Sequence, residues 1–449
     1  MSETAVQMGK EPSVAKNTET NGGRQPAAHE TTHALRRADL AYVRLASSEV
    51  ARDINRDVIL ELVRAKQPVA RVELARASGL YPSTVSSIVE ELIEEGWVVE
   101  GGTQRLPRGR RPTLLSLNED IVMLAVDVRP EQATIAVVDM NSRLLSQKAI
   151  VLPSNVERAL PELVSALEKM REMHPTKTFE GVGLSMPGRV DPVTQQLVLA
   201  PNLRWAGHEI AGVIETALGL KVEMENEANA CLIAEIWSGR LDGVSNAVLV
   251  AISEGIGTAV LSNGQMITGH GGLAGEFGHV LLDPTGPECG CGRKGCWEMF
   301  ASTRAAVRYY NEASGTKESG MTGTRLLNLA VDDDPAAVTA LSQQAENLGR
   351  GLHAITAALS PEVILFTGEL TSAWQRFGPI VEAELKRQML AGPPPRVMTT
   401  LNPEFARLRG AAALVLQRHS GYHRTHTHSR PRGRDQGEGE SLGTPAQAD

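Results

Sequence analysis

With 449 residues, 42% hydrophobic content and a formal net charge of −8, the chain holds enough apolar material for two or three domains with substantial cores. The acidic balance excludes a protein that coats nucleic acid over its whole surface, yet leaves room for one local basic face. No apolar run reaches the roughly 18 residues of a membrane span; with few cysteines and no targeting segment, the expected location is the cytoplasm, away from any membrane.

Residues 1–48 are polar and without periodicity, and read as a disordered tail in which His29 and His33 are solvated rather than a metal pair. A helical pattern begins near Arg52, where Ile54, Val58, Ile59 and Leu62 are taken as one apolar face, and Pro68 closes it. A short helix follows from Val72 towards Gly79. A third spans residues 82–95, with Val85, Ile88 and Leu92 inward. This is the helix-turn-helix plan with the third helix as reader, and residues 49–118 are expected to form the domain. Ser83 and Ser87 then face outward, flanked by Thr84 and Ser86. These short hydroxyls near a helix start suit phosphates and base edges. Glu90 and Glu94 further along that face limit groove entry to the first two turns. A three-helix protein-interaction module is the alternative.

Residues 97–100 and 113–117 read as a hairpin. Between them Arg105, Arg108, Arg110 and Arg111 stand on a Gly/Pro loop without an acid, a wing able to reach phosphates or a narrow minor groove. A solvated charge run is the plainer reading of that loop alone.

The period then changes to that of strands at residues 123–128, 134–139 and 144–151. A helix with Leu160, Leu163, Leu167 and Met170 on one side follows, and then a buried strand at 181–185 leading into Met186-Pro187-Gly188-Arg189. A second meander at 247–252 and 257–261, with a late strand at 363–367, repeats the plan. Periodicity supports two α/β units with the look of a duplication. Beyond Arg418 the chain turns polar, and His419, His423, His426 and His428 read as part of a disordered tail.

Three of the four cysteines, Cys289, Cys291 and Cys296, fall within eight residues, and His279 stands ten residues ahead of the first. One imidazole and three thiolates make a tetrahedral set for a structural Zn2+. A disulfide is the alternative, but Cys289 and Cys291 are too close in sequence to pair comfortably.

Gly275-Glu276-Phe277-Gly278-His279, followed by Cys-x-Cys-Gly-x-x-Gly-Cys-x-Glu ending at Glu298, resembles the signature of the ROK family of sugar kinases and sugar-responsive repressors. The resemblance covers residues 52–418, including a winged helix with its Gly109-Arg110-Arg111-Pro112 wing. It departs at Tyr81, where the family often has a serine cap. It implies an α/β fold: an N-terminal winged helix-turn-helix, then a two-lobed actin-like, hexokinase-type (RNase H-like) body over residues 119–418 with a zinc loop at 279–296. On the family's pattern Gly188, Arg189, Asn202, Asn226, Glu227, Glu276, His279 and Glu298 shape a sugar pocket, and His279 also binds the metal.

A kinase of that family needs a glycine-rich Asp-x-Gly-Gly-Thr hairpin for the ATP phosphates. Here the stretch reads Asp127-Val128-Arg129-Pro130-Glu131, without glycine and with a repelling acid. Ser253-Glu254-Gly255-Ile256-Gly257-Thr258 and Thr367-Gly368-Glu369 likewise bring acids towards the phosphates. Glu227 stands where the general base is an aspartate, and its extra methylene moves the carboxylate by about an ångström, enough to cost roughly a hundredfold in rate. The expectation is therefore a sugar-responsive regulator, a repressor, with no catalytic residue and no ATP. It would bind double-stranded operator DNA as a homodimer or dimer of dimers. The alternatives are a bifunctional ROK sugar kinase carrying a DNA-binding module, and a sugar-binding scaffold that binds no DNA.

Overall fold

A computed structural model describes residues 48–103, 112–200, 203–315, 320–390 and 392–417. Arg105, Arg108, Arg110, Arg111 and Asn202, and the stretches expected to be tails except for Ser48, lie outside the described residues.

The N-terminal module opens with α1 (Ser48–Lys66), the short strand β1 (Val69–Ala70), α2 (Arg71–Ser78) and α3 (Pro82–Glu94). Gly79 ends α2 in the left-handed region at φ 72°, which turns the chain towards α3. Pro82 starts α3, where its missing N–H is no loss. β2 (Val98–Thr103) and β3 (Thr113–Leu117) form the wing hairpin, and β1 pairs with β3, giving the order β1-β3-β2.

Two details of this module differ from the sequence reading. Ile54 and Val58 are 53% and 40% exposed, whereas Ile59, Leu60 and Val63 are buried. The inward stripe of α1 runs through Arg56, whose guanidinium stacks over Trp97 at 5.7 Å and pairs with Glu95, so counting apolar residues alone rotated the helix. Trp97 itself precedes β2. Its amide donates to Leu92 O at 2.8 Å, closing the exit from α3, while its carbonyl accepts from Asn118 N at 2.9 Å at the foot of the hairpin.

The first lobe is a sheet of order β10-β7-β4-β5-β6, made of β4 (Ile121–Arg129), β5 (Gln132–Asp139), β6 (Leu144–Val151), β7 (Thr178–Met186) and β10 (Val222–Asn226). β4, β7 and β10 are parallel, while β4, β5 and β6 form an antiparallel meander. α4 (Val156–Glu172), the small hairpin β8 (Arg189–Val190) and β9 (Leu197–Leu199), and α5 (Ile210–Leu218) accompany it. α6 (Glu227–Trp237) follows β10 without a break.

The second lobe repeats the topology with β11 (Ala247–Ile252), β12 (Ile256–Ser262) and β13 (Gln265–Met266), then α7 (Glu298–Ala301), α8 (Thr303–Ser314), α9 (Gly323–Val331), α10 (Pro335–Leu359), β14 (Val363–Gly368), α11 (Trp374–Gln388), β15 (Arg396–Thr399) and α12 (Ala406–Gln417). Its order is β13-β12-β11-β14-β15, with β11, β14 and β15 parallel. The expected duplication is thus present strand for strand.

The two lobes exchange helices. α6 leaves the first sheet, yet Ala228, Cys231 and Leu232 pack with Ala247, Leu249, Ala259 and Leu365 of the second. α12 leaves the second sheet and packs on the first, where Gly183 is needed because a Cβ there would lie 1.7 Å from Ala411 O. α6 and α12 meet at backbone contact, since a Cβ on Gly410 would lie 2.0 Å from Ala230 O. The core of the winged module is continuous with this arrangement: Ile59, Val63, Leu74, Leu92 and Leu115 share one cluster with Met123 and Val138 and with Leu408, Val415 and Leu416 of α12.

Candidate functional site

The carboxyl ends of β4, β7, β10, β11 and β14 open towards one interlobe region, where α/β sheets commonly bind ligands. Asn226 ends β10 and caps α6, its Oδ1 accepting from Ala228 N at 2.8 Å and its amide donating to Gly188 O at 2.5 Å. Gly188 has φ 104°, and a Cβ there would lie 2.2 Å from Leu199 O, so only glycine lets the chain turn so close to β9. Arg189 Nε donates to Gly271 O at 2.6 Å, tying β8 to the 270–279 turn that carries Glu276 and His279. Beside Asn226, the half-buried Glu225 accepts from Asn229 at 3.0 Å; burial pushes its carboxyl above the usual range, against hydrogen bonds from Asn229 and Asn226.

Glu227 is held on both carboxylate oxygens. Its Oε2 lies 2.8 Å from Arg407 Nη2, and its Oε1 accepts from Ser253 Oγ at 3.4 Å. Arg407 stands in the first turn of α12 and also lies 3.9 Å from Asp127 Oδ2, which Arg129 Nε reaches at 2.9 Å. Burial works to lower the Arg407 pKa, but Glu227 and Asp127 outweigh it and hold the guanidinium charged. Asp127 is only 3% exposed and is therefore a buried carboxylate held between two arginines. Pro130 and Glu131 form the tight turn between β4 and β5, with Glu131 at φ 61° and its carbonyl accepting from Leu152 N at 2.9 Å. The position at which a phosphate hairpin would open is a pinned two-residue turn.

The zinc-type loop folds by its glycines. Gly295, at φ 73°, sits so close to the backbone that a Cβ would lie 1.6 Å from Asp283 O. Cys289 N donates to Arg293 O at 2.7 Å, and Cys296 bridges to Leu281. These turns gather one ligand atom each from His279, Cys289, Cys291 and Cys296 within 4.8 Å of one another. Cys291 and Cys296 sulfurs are 3.6 Å apart, and Cys289 Sγ lies 3.5 Å from His279 Nδ1. Such spacings suit a tetrahedral ion with Zn–S near 2.3 Å, so the donor set fits zinc. Burial pushes the Cys289 and Cys296 thiols up. At Cys291 burial acts the same way but is outweighed by the Arg293 amide and the neighbouring thiols, leaving that thiol below its ordinary value.

Glu298 is buried against this loop: Cys289 Sγ donates to its Oε1 at 2.9 Å, and His279 Nδ1 lies 3.6 Å from the same oxygen. Glu276, more exposed, faces His279 Nε2 from 3.8 Å. The imidazole thus turns Nδ1 to the sulfurs and Nε2 to Glu276. Gly257 on β12 faces Ala228, and Gly278 lies against Ile256 O, so the loop and the start of α6 flank the same strand.

On the reading helix, Ser83 and Ser87 are exposed while Thr84 and Ser86 are half-buried, as the wheel predicts. Tyr81, 81% exposed, occupies the N-cap without a side-chain bond to the helix. Sequence reasoning missed Arg407 altogether, because its partners lie 180 and 280 positions away along the chain. Arg129 was within reach, since residues two apart on a strand share a face with Asp127.

Residues 123–418 match the ROK family, and residues 52–99 match a winged helix-turn-helix DNA-binding domain. The xylose repressor of Bacillus subtilis (strain 168) is 29% identical over 330 residues, 73% of this chain and 85% of that protein. The DNA-binding transcriptional dual regulator NagC of Escherichia coli (strain K12) is 24% identical over 356 residues, 77% of this chain and 88% of that protein. In fold, the chain resembles a ROK family transcriptional regulator that is a homolog of the E. coli MLC protein, with a TM-score of 0.72 and 24% identity over 84% of this chain and 99% of that one. A ROK family glucokinase from Streptomyces griseus, in complex with glucose and AMPPNP, matches with a TM-score of 0.61 and 27% identity over 66% of this chain and 99% of that one. The lobes, the helices they exchange and the cysteine loop thus have one common explanation: this chain belongs to the ROK family.

Proposed function

We propose that the protein is a sugar-responsive transcriptional regulator, acting as a repressor, whose kinase-like body serves as a receptor. The observation that carries this reading is the Arg407–Glu227–Asp127 arrangement: the carboxylate at the base position is held in an ion pair, and the turn before β5 carries Pro130 and Glu131 instead of glycines. A xylose repressor and a DNA-binding transcriptional dual regulator, each matched over most of both chains, support it.

In this reading Gly188, Arg189, Asn202, Asn226, Glu227, Glu276, His279 and Glu298 surround the sugar. Its hydroxyls are read by carboxylates and amides that would be left unpaired by a ligand lacking them. A zinc ion held by His279, Cys289, Cys291 and Cys296 would cross-link the loop and fix His279 Nε2 and Glu276 towards the sugar. The present contacts of Glu298 are with the metal-site residues, so its part is to brace them. Residues 49–118 would bind duplex DNA through Ser83, Thr84, Ser86 and Ser87 and the wing arginines Arg108, Arg110 and Arg111. A homodimer or dimer of dimers would match a pseudo-palindrome.

The glucokinase likeness keeps a second reading in view, that of a kinase with a DNA-binding module. Incubation with ATP, magnesium and a panel of hexoses separates the two. The receptor reading expects no turnover above background, while a thermal-shift screen against the same sugars yields a ligand that changes duplex binding. Turnover at the 1–100 s⁻¹ usual for kinases would reverse the assignment.

A further inference from the structure

α6 is an 11-residue helix, about 16 Å long, with a distinct partner at each end. Its first residue, Glu227, faces the interlobe region. Its last, Trp237, lies under the Arg64 guanidinium of α1 at 5.7 Å and donates Nε1 to Met140 O at 3.3 Å. Arg64 is held over that ring by Glu61, whose Oε2 accepts from Nε at 2.8 Å, with Asp242 Oδ1 at 4.0 Å beyond the helix end. Its side chain is only 10% exposed, so this is a packed junction rather than a surface pair. α12 lies alongside in the same sense. Arg407 in its first turn grips Glu227, Gly410 rests on the backbone of Ala230, and Val415 and Leu416 enter the cluster that includes Ile59 and Val63 of α1.

We infer that α6 and α12 move as one strut through which occupancy at Glu227 is felt by the winged helix, and that Arg64 on Trp237 is the junction where the signal passes. The inference rests on the receptor reading proposed above. Two helices in backbone contact cannot slide independently in a close-packed interior, so a ligand that alters the Glu227–Arg407 pair displaces both ends together. Arg64, Trp237 and Asp242 belong to neither binding site. They are positioning residues, and their loss should uncouple the sites without emptying them.

The test uses the full-length protein and a 30-bp duplex selected from a random pool by the wild type. The sugar probe is whichever of xylose, glucose, N-acetylglucosamine or N-acetylglucosamine 6-phosphate raises its melting temperature. The coupling factor is the ratio of duplex Kd with and without that probe. In Arg64→Met and Trp237→Leu it should fall at least fivefold towards 1, while the probe Kd and the sugar-free duplex Kd stay within threefold; Arg64→Lys should retain most of it. An unchanged factor in both variants overturns the inference and leaves the receptor reading standing. A wild type whose duplex affinity ignores every probe removes both. Should the variants fail to fold, hydrogen exchange of the wild type decides: the probe should alter exchange in residues 227–238 and also in 57–67, and a change confined to the first stretch rejects the strut.

Discussion

Arg407 joins the two lobes through the ion pairs it makes with Asp127 and Glu227. Two carboxylates, Asp127 and Glu227, face a largely buried region, and their common counter-charge comes from one guanidinium on a helix more than 170 residues later in sequence. Removing one member of a buried ion pair leaves an uncompensated charge, a loss of about 3–5 kcal/mol. Arg407→Met should therefore lower unfolding stability by about 3 kcal/mol in denaturant titrations, since Arg129 still neutralises part of Asp127. Adding Glu227→Gln to that variant should recover roughly half of the loss; equal stability of the wild type and Arg407→Met would show that the pair is idle. The Arg407 contacts were not legible in the sequence. Glu227 could be read from its neighbours, but the partner it pairs with comes from tertiary packing alone.

Elements were more readable than residues because their signals are local. Glycine and proline punctuated α2 and α3, and short apolar runs joined by polar turns marked β4, β5 and β6. α1 was misrotated because its inward face includes a charged residue, Arg56, whose burial is explained by Trp97 and Glu95 from beyond the helix. The cysteine loop was the most legible element, since four ligands need only glycine turns to meet. Cys291→Ser should abolish stoichiometric zinc in elemental analysis and weaken binding of the sugar probe at least tenfold. Duplex affinity without sugar should change less than threefold, because among the described residues the loop and the winged module share no core cluster. Retention of one zinc per chain in that variant would count against the tetrahedral set. For the reading helix, Ser87→Asp should weaken duplex binding at least tenfold through repulsion of phosphate, with the melting temperature unchanged because Ser87 is exposed. An unaltered affinity would move the DNA contact elsewhere.

At the scale of the whole molecule, the winged module is built into the body rather than tethered to it. Ile121, Met123, Ala125 and Val138 on the first sheet, with Leu408, Ala412, Val415 and Leu416 of α12, bury one face together with α1, α3 and the wing hairpin. Gln67 adds a polar tie to the body, donating to Asn141 Oδ1 at 2.7 Å, while its own oxygen accepts from Leu117 N of the wing hairpin at 2.8 Å. A shared core has two consequences. It lets strain at the interlobe region reach the DNA-facing helices without a flexible hinge, and it makes the two parts stabilise each other. Deleting residues 1–118 uncovers that apolar face, and each formerly buried large side chain forfeits up to about 1.5–3 kcal/mol. Even a net loss near 3 kcal/mol, at roughly 2–4 °C per kcal/mol for domains of 150–250 residues, lowers Tm by about 6–12 °C. Calorimetry should accordingly show the winged module and the first lobe melting in one transition in the full-length protein. The truncated body should melt earlier and associate through the bared face. A truncated body with undiminished Tm would mean that the module is a passenger, and a passenger could not report what the sugar site holds.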